Sequence, residues 1–228
     1  MSNIGCRIYP DYARPDKAVV EAFRGMPVAN IDDNMNRTAA VCSDIKPIGA
    51  GKGQMLGTAF TIKVAQGDNL MFHKAMDMAK PGDVIMIDAG GMTERSIFGS
   101  LMATYCKTRG IVGIVVDGSI RDCDEIAELK DFHVYARGIT PNGPYKNGPG
   151  ELRGEITLGG VVVHPGDIVV GDSDGVLVLR PEEAEELAEK TRLVMAKEAD
   201  ILKNILENNS YVRPWVDSKL AEIGCEEV

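Results

Sequence analysis

An arginine and an aspartate stand side by side shortly after an apolar run in the middle of the chain. The run, residues 114–116, is β-branched and typical of a buried strand, and Arg121 and Asp122 follow it. Arginine can bind a carboxylate through charge-assisted hydrogen bonds, and aspartate can ligate a hard cation such as Mg²⁺ or Mn²⁺. The pair therefore predicts a site for a small anion and a divalent metal. The alternative is a surface ion pair beside a turn.

The elements around this pair predict how it is positioned. We expect a helix over residues 93–109, a strand over residues 112–116 and a turn at Gly118. In a parallel α/β unit the carboxyl ends of strands and the amino ends of helices lie at one edge of the sheet. Free backbone N–H groups at a helix start can hold a carboxylate. Arg121 and Asp122 should therefore lie near the start of the preceding helix.

Other catalytic patterns are weak. His73, His133 and His164 are scattered, without the spacing of a metal-binding helix, and we interpret them as structural. The chain has no G-x-S-x-G nucleophile motif, and its glycine-rich segments lack the spacing of a phosphate-binding loop. Lys63, in an apolar run, stays open as a Schiff-base lysine.

Composition limits the class of protein. The chain has 228 residues, of which 44% are hydrophobic and 26% charged, with a net charge of −9. An acidic surface disfavours broad nucleic-acid binding but leaves room for a small anionic ligand beside one arginine. Five cysteines form no C-x-x-C pair, and no apolar stretch is long enough to span a membrane. With no signal-peptide pattern at the start, the sequence predicts a cytoplasmic protein.

The pattern of apolar runs predicts an α/β fold. Strand-like runs at residues 58–64, 84–87, 112–116 and 132–136 alternate with helical patterns at residues 70–79, at 93–109 and from 127 onwards. Short strands without intervening helices follow at residues 160–163, 168–170 and 176–179. A layered α/β/β/α sandwich accommodates both parts. We predict one domain over residues 1–228, in which residues 182–228 are a helical extension that begins with a long helix to about residue 208.

A short motif occurs twice, as KPGD from Lys80 and as HPGD from His164. Pro-Gly-Asp is typical of a tight turn that leads into a buried strand. The alternative is functional, because each following strand ends in aspartates, at Asp88 and at Asp172 and Asp174, and these ends could converge on one cleft.

Four segments resemble a known family in the expected order, over roughly residues 30–206. They are GDNLMFHKAMDMAKPGDVIMIDAGG, FGSLMATYCKTRGIVGIVVDGSIRDCDEI, ARGITPNGPYKNGPGE and GGVVVHPGDIVVGDSDGVLVLRPEEA. The chain is similar there to the 4-hydroxy-4-methyl-2-oxoglutarate / 4-carboxy-4-hydroxy-2-oxoadipate aldolases, which are relatives of the regulator of ribonuclease E activity. The resemblance implies a class II pyruvate aldolase of swivelling-domain type, with oxaloacetate decarboxylase side activity.

The resemblance also assigns residues, ligands and partners. It implies that backbone N–H groups of a helix start contact a small anionic 2-oxo acid, that Arg121 binds its carboxylate and enolate oxygen, and that Asp122 holds Mg²⁺ or Mn²⁺. The helix-start residues are Gly99, Ser100, Leu101 and Met102. It further implies a homotrimer or homohexamer with sites at subunit interfaces. The acidic charge and the lack of a long apolar stretch, in turn, predict no nucleic-acid or membrane partner.

One position departs from the family. The aldolase signature places an acidic residue twenty-one positions before the arginine, and this chain has Ser100 there. A hydroxyl can cap a helix but supplies no negative charge. Glu94, Asp88 or Asp124, or a residue of a neighbouring subunit, could supply the acid. Two alternatives therefore stay open: a non-catalytic binding protein like the ribonuclease E regulators, and a related lyase with a different substrate.

Overall fold

The computed structural model describes residues 3–49 and 53–226. Its helices and strands are named in chain order. They are β1 (Cys6–Ile8), α1 (Lys17–Glu21), α2 (Val28–Asn34), β2 (Lys46–Pro47), β3 (Met55–Val64), α3 (Leu70–Met78), β4 (Asp83–Asp88), β5 (Ser96–Phe98), α4 (Ser100–Thr108), β6 (Gly113–Ile120), α5 (Cys123–Ala127), β7 (His133–Ile139), β8 (Gly150–Leu152), β9 (Ile156–Leu158), β10 (Val161–Val163), β11 (Ile168–Gly171), β12 (Val176–Leu179), α6 (Ala184–Asn208) and α7 (Trp215–Glu222).

Within the described chain, ten strands join one mixed sheet. Its centre is parallel, in the order β3-β4-β6-β7, and β5 adds to β6 in parallel. On the other edge of β3, β11 pairs antiparallel with the first half and β8 with the second half. The strands β9 and β10 form a separate antiparallel pair. The predicted α/β class, with parallel early strands and antiparallel later ones, is confirmed.

One face of the parallel sheet packs against helices. Because successive side chains of a strand point to opposite faces, Phe60, Ile85 and Ile114 share this face and are fully buried. They belong to the same apolar cluster as Phe72 of α3 and Ala103 of α4. This packing fixes α3 and α4 against the strands that precede them.

The other face packs against the later strands. Met86 and Val115 point to this side and form a second apolar cluster with Leu158, Val169 and Val178. Since both faces of the central strands are covered, their sequences are nearly continuous apolar runs rather than alternating ones. The order helix, sheet, second β layer follows from these two clusters.

The predicted helix over residues 93–109 begins too early. Helix α4 starts at Ser100, and the preceding residues form β5, in which Ser96 pairs with Ser119 of β6. The predicted turn at Gly118 is wrong for the same reason. Strand β6 continues through Gly118 to Ile120, because β5 and β7 pair with its last residues.

Two further helix predictions need correction. The helix expected from residue 127 onwards is wrong, because α5 spans Cys123–Ala127 and ends where the predicted helix begins. The long C-terminal helix is confirmed, and it begins at Ala184 after a single 3₁₀ turn, Pro181–Glu183.

The repeated Pro-Gly-Asp motif forms two matching turns. Asp83 and Asp167 each donate a backbone N–H to the residue three positions earlier and accept that residue's N–H on a carboxylate oxygen. Both carboxylates are buried, and each meets an arginine, Arg14 at 2.7 Å and Arg180 at 3.2 Å. Burial raises the pKa of Asp167, which the hydrogen bond from His164 and the charge of Arg180 oppose.

The alternative role for these strands is wrong. Asp88 lies at the end of β4 beside Lys63, whereas β11 ends at Gly171 beside Met55. Lys63 and Met55 are at opposite ends of β3, which at about 3.3 Å per residue separates them by roughly 26 Å. Asp88 and Asp172 therefore do not share a cleft.

The chain divides into two compact units, Met1–Thr191 and Arg192–Val228. The second unit contains the later part of α6 and the helix α7, and it carries many exposed apolar side chains. Among them are Leu193, Leu202, Leu206, Val212, Trp215 and Ile223. The description of residues 182–228 as an extension of a single domain stays a prediction. Over the described residues, no helix combines the length and apolar character needed to cross a bilayer.

We predict that Asp83→Ala lowers the free energy of unfolding by about 3 kcal/mol, because it leaves buried donors without an acceptor. The donors are the Arg14 guanidinium, the Thr58 hydroxyl and the Lys80 N–H. Urea denaturation measures the effect. Glu21→Ala, which removes an exposed ion pair with Arg24, is the control and should leave stability nearly unchanged. Equal effects of the two substitutions would contradict this account of the turn.

Candidate active site

Arg121 and Asp122 line a cleft of about 250 Å³ at the carboxyl end of β6. The cleft brings together residues from several separate segments of the chain. They are Asn69, His73, Phe98, Gly99, Leu101, Met102, Arg121, Asp122, Pro144 and Lys146. All of the residues predicted to form the site line this cleft except Ser100. Ser100 lies beside it and donates hydrogen bonds to Asp122.

The pairing of β5 with β6 positions the cleft. The backbone N–H of Arg121 donates to the carbonyl of Phe98 at 3.0 Å, which holds the ends of the two parallel strands side by side. Helix α4 leaves from the end of β5, and α5 leaves from the end of β6. The start of α4 therefore faces Arg121 and Asp122, as the rule for parallel α/β units requires.

The Asp122 carboxylate is bonded to the start of α4. Its Oδ2 accepts a hydrogen bond from the Ser100 N–H at 3.0 Å and one from the Ser100 hydroxyl at 3.4 Å. Asp122 itself is left-handed, with φ 57° and ψ 42°, a conformation that aspartate tolerates better than most residues. A Cβ at Gly99 would overlap Oδ2 of this carboxylate. Glycine at position 99 is therefore required by the carboxylate of Asp122.

Arg121 forms no hydrogen bond with its neighbour Asp122. Its Nε lies 3.7 Å from Asp122 Oδ2, which is too long for a hydrogen bond, and 46% of its side chain is exposed. The guanidinium donors therefore remain available to a ligand. The Arg121 side chain also lies near the loop that follows β7, since a Cβ at Gly143 would be 3.3 Å from its Nη1.

The helix start offers fewer free N–H groups than the resemblance implied. The Ser100 N–H is taken by Asp122. The first N–H with an acceptor in the preceding turn is that of Ala103, which donates to Gly99 at 3.2 Å. The N–H groups of Leu101 and Met102 precede it and are left for an anion.

The three acids that could replace the missing one do not line the cleft. Asp88 accepts the Gly90 N–H at 3.0 Å and lies 4.0 Å from the Lys63 ammonium group. Burial raises the pKa of Asp88, which the hydrogen bond from Gly90 and the charge of Lys63 oppose. Glu94 and Asp124 are likewise outside the lining residues. Among the described residues that line the cleft, Asp122 is the only acid.

Three polar lining residues, Asn69, His73 and Lys146, were not predicted as site residues, and His73, which we interpreted as structural, lies on the cleft. Asn69 is 2% exposed, and its amide Nδ2 donates to Ile97 at 2.9 Å, yet its Oδ1 has no hydrogen-bond partner in the described structure. A buried acceptor without a donor costs free energy unless a ligand or water supplies one. Asn69 and Lys146 both lie in family-like segments, GDNLMFHKAMDMAKPGDVIMIDAGG and ARGITPNGPYKNGPGE, but nothing in the sequence placed the Lys146 side chain at the site.

The cleft offers oxygen atoms that suit a hard cation, together with the imidazole of His73. Over the described chain, no group of three or more His, Cys, Asp and Glu side chains is arranged to hold a metal ion. The second oxygen of Asp122, Oδ1, and Oδ1 of Asn69 are nevertheless free of hydrogen bonds within that part of the chain. One carboxylate with water and substrate oxygens is a common Mg²⁺ site. These residues therefore fit a cation for which water and substrate supply most of the ligands.

Known proteins resemble this chain over most of its length. The family model described as RraA-like: Aldolase/RraA matches residues 28–178. A protein of Halalkalibacterium halodurans with the provisional name 4-hydroxy-4-methyl-2-oxoglutarate aldolase is 37% identical over 201 residues, which are 88% of this chain and 95% of that protein.

Solved structures share the fold. An uncharacterised protein from Pseudomonas syringae pv. tomato superposes with a TM-score of 0.77 at 21% identity, over 88% of this chain and 98% of that one. The RNA-processing inhibitor RraA from Thermus thermophilis superposes with a TM-score of 0.61 at 28% identity, over 67% of this chain and 92% of that one. Because the family model matches more than half of the chain and the Halalkalibacterium protein is similar over nearly its whole length, the chain belongs to the RraA-like (Aldolase/RraA) family.

Proposed function

We propose that this protein is a divalent-metal-dependent aldolase that cleaves a 4-hydroxy-2-oxo diacid into pyruvate and a second oxo acid. The observation that carries the proposal is the convergence of the α4 start, Arg121 and Asp122 on one cleft. The name of the relative from Halalkalibacterium halodurans supports the same reaction class. The physiological diacid can differ from that of the relative, since Ser100 departs from the aldolase signature.

The substrate binds through its 2-oxo acid end. Its carboxylate accepts hydrogen bonds from the N–H groups of Leu101 and Met102, where the helix dipole favours an anion. Arg121 donates to the same carboxylate and to the 2-oxo oxygen, with charge-assisted hydrogen bonds. As the C3–C4 bond breaks, negative charge grows on that oxygen, and Arg121 stabilises it without having to reorganise.

Asp122 would hold Mg²⁺ or Mn²⁺ through Oδ1, the oxygen that Ser100 does not occupy. When bound, such a cation supplies Lewis-acid polarisation of the 2-oxo group. The hydrogen bonds from Ser100 hold the carboxylate in one orientation. Ser100 thus positions Asp122 and adds no charge of its own.

His73 is the residue of this chain that we assign to the 4-hydroxyl proton. It lines the cleft, and a neutral imidazole can accept a proton. Loss of that proton lets the C3–C4 bond break, which releases the second oxo acid and leaves a pyruvate enolate. Return of the proton from His73 to C3 then gives pyruvate and restores the neutral imidazole. Oxaloacetate forms the same enolate by loss of CO₂, so decarboxylation is expected as a side activity.

A binding function without catalysis is the second candidate. The Thermus protein is named an RNA-processing inhibitor and shares 28% identity with this chain, and Ser100 removes an acid that the aldolase signature contains. Against this, the cleft retains Arg121 with free donors and Asp122 with a free oxygen. We therefore place catalysis first.

We propose that the chain forms a homotrimer or homohexamer in the cytoplasm, with sites at subunit interfaces. All five cysteines are free thiols, as expected in a reducing compartment. Leu101, on the cleft, is 86% exposed, and Leu206 and Trp215 of the C-terminal unit are 76% and 66% exposed. Large exposed apolar side chains are typical of surfaces that a partner covers.

We predict that Arg121→Ala lowers kcat/KM for pyruvate release by at least about 100-fold, because the growing negative charge loses its counter-charge. A dehydrogenase-coupled assay for pyruvate measures this with oxaloacetate and with 4-hydroxy-2-oxo diacids in the presence of Mn²⁺. Arg24→Ala, an exposed change away from the cleft, is the control. The proposal is contradicted if metal-replete wild-type protein releases no pyruvate from any of these acids. That result would favour the binding function.

Metal binding can be tested without turnover. We predict that Asp122→Asn abolishes Mn²⁺ binding, measured by electron paramagnetic resonance, whereas Ser100→Asp strengthens it because a second carboxylate joins the site. Chelation of the metal should stop pyruvate release, and Mg²⁺ or Mn²⁺ should restore it. The assignment fails if Asp122→Asn binds Mn²⁺ as tightly as the wild type.

Light scattering should give a mass three or six times that of the 24.6 kDa chain. We predict that Leu206→Glu combined with Trp215→Glu lowers this mass, because charges would replace exposed apolar side chains on a buried contact. Lys219→Glu, also in the C-terminal unit and already exposed, should not. A monomeric wild-type protein would refute the assembly.

A further inference from the structure

One wall of the cleft is a loop whose backbone is fixed by the segment before α3. The Tyr145 N–H donates to the Gly67 carbonyl at 2.8 Å, and the Asn69 N–H donates to the Tyr145 carbonyl at 3.0 Å. Two residues on, the Asn147 N–H donates to the Asp68 carboxylate at 2.5 Å. Both chain neighbours of Lys146 are therefore held in place.

Arg95 fixes the same loop from another direction. Its guanidinium donates to the Gly143 carbonyl at 3.0 Å and to the Tyr145 hydroxyl at 2.8 Å, and it lies 4.1 Å from the centre of the Tyr145 ring. Asp68, which is 3% exposed, also accepts the Leu70 N–H at 2.9 Å. Buried and charge-assisted bonds of this kind specify one loop conformation.

The side chain that this fixed loop presents to the cleft has no partner of its own. Lys146 lines the cleft and forms no hydrogen bond or ion pair with another described residue. The cleft therefore contains two cationic side chains without hydrogen-bond partners among the described residues, Arg121 and Lys146, and one carboxylate, Asp122. In a chain with a net charge of −9, a local excess of positive charge in a cleft favours an anionic ligand.

We propose that Lys146 is a specificity-determining residue that binds the distal carboxylate of the substrate. The inference rests on the proposed function, in which the 2-oxo acid end occupies Arg121 and the start of α4. A second carboxylate would then meet the remaining unpaired cation, Lys146, and form a salt bridge with it. Lys146 thereby makes the site prefer a diacid to a monoacid that has the same reacting atoms.

The matched pair of substrates is 4-hydroxy-2-oxopentanedioate and 4-hydroxy-2-oxopentanoate, in which a methyl group replaces the distal carboxylate. We expect Lys146→Met to lower kcat/KM for the diacid roughly 10- to 100-fold and to change that for the monoacid less than about 3-fold. Lys146→Arg should keep most of the diacid preference. Lys74→Met, an exposed change on α3 outside the cleft, is the control and should change neither.

Equal losses for both substrates, or no loss, would overturn the role of Lys146 while leaving the aldolase activity standing. A separate binding measurement keeps the two proposals distinguishable. By calorimetry with Mn²⁺ present, 2-oxopentanedioate should bind the wild type more tightly than 2-oxopentanoate, and Lys146→Met should remove that difference. If the wild type releases no pyruvate, the proposed aldolase reaction is refuted. This binding comparison still decides whether Lys146 binds the second carboxylate.

Discussion

The contact between the Asp122 carboxylate and the first turn of α4 is the constraint on which the site depends. Oδ2 accepts hydrogen bonds from the N–H and the hydroxyl of Ser100. The space that Oδ2 occupies exists because Gly99 has no Cβ. Asp122 adopts a left-handed conformation to reach it. Such strain persists where the surrounding structure holds it, and here the paired ends of β5 and β6 do so.

Comparison with the aspartates of the two turns shows what distinguishes Asp122. Asp83 is fully buried, and its oxygens are filled by Arg14, Thr58 and a backbone N–H. That arrangement stabilises the fold and leaves nothing for a ligand. Asp122 is partly exposed and keeps one oxygen free, beside an arginine that is too distant to bond to it. A carboxylate that is held in place, with one oxygen hydrogen-bonded and the other free, is suited to binding a ligand.

The sequence predicts the regular elements better than it predicts the site. The central strands are covered on both faces, so their continuous apolar runs are visible without the structure. Strand β5 is not visible, because three residues become a strand only by pairing with β6. The turn expected at Gly118 failed for the same reason, since extended pairing overrode the local preference of glycine.

The site shows a similar division. Arg121 and Asp122 are adjacent in sequence and follow an apolar run, so their chemistry could be predicted directly. Asn69 and Lys146 reach the cleft through hydrogen bonds between segments far apart in the chain, by way of Asp68 and Tyr145. No local pattern indicates such a contact, and the resemblance to a family supplied only part of it.

The most direct measurement of the central claim is a crystal structure of the protein with pyruvate and Mg²⁺. The account predicts the pyruvate carboxylate on Arg121 and on the N–H groups of Leu101 and Met102, with the cation on the free oxygen of Asp122. Pyruvate bound elsewhere, or an Asp122 carboxylate that contacts only Ser100 at saturating Mg²⁺, would contradict it.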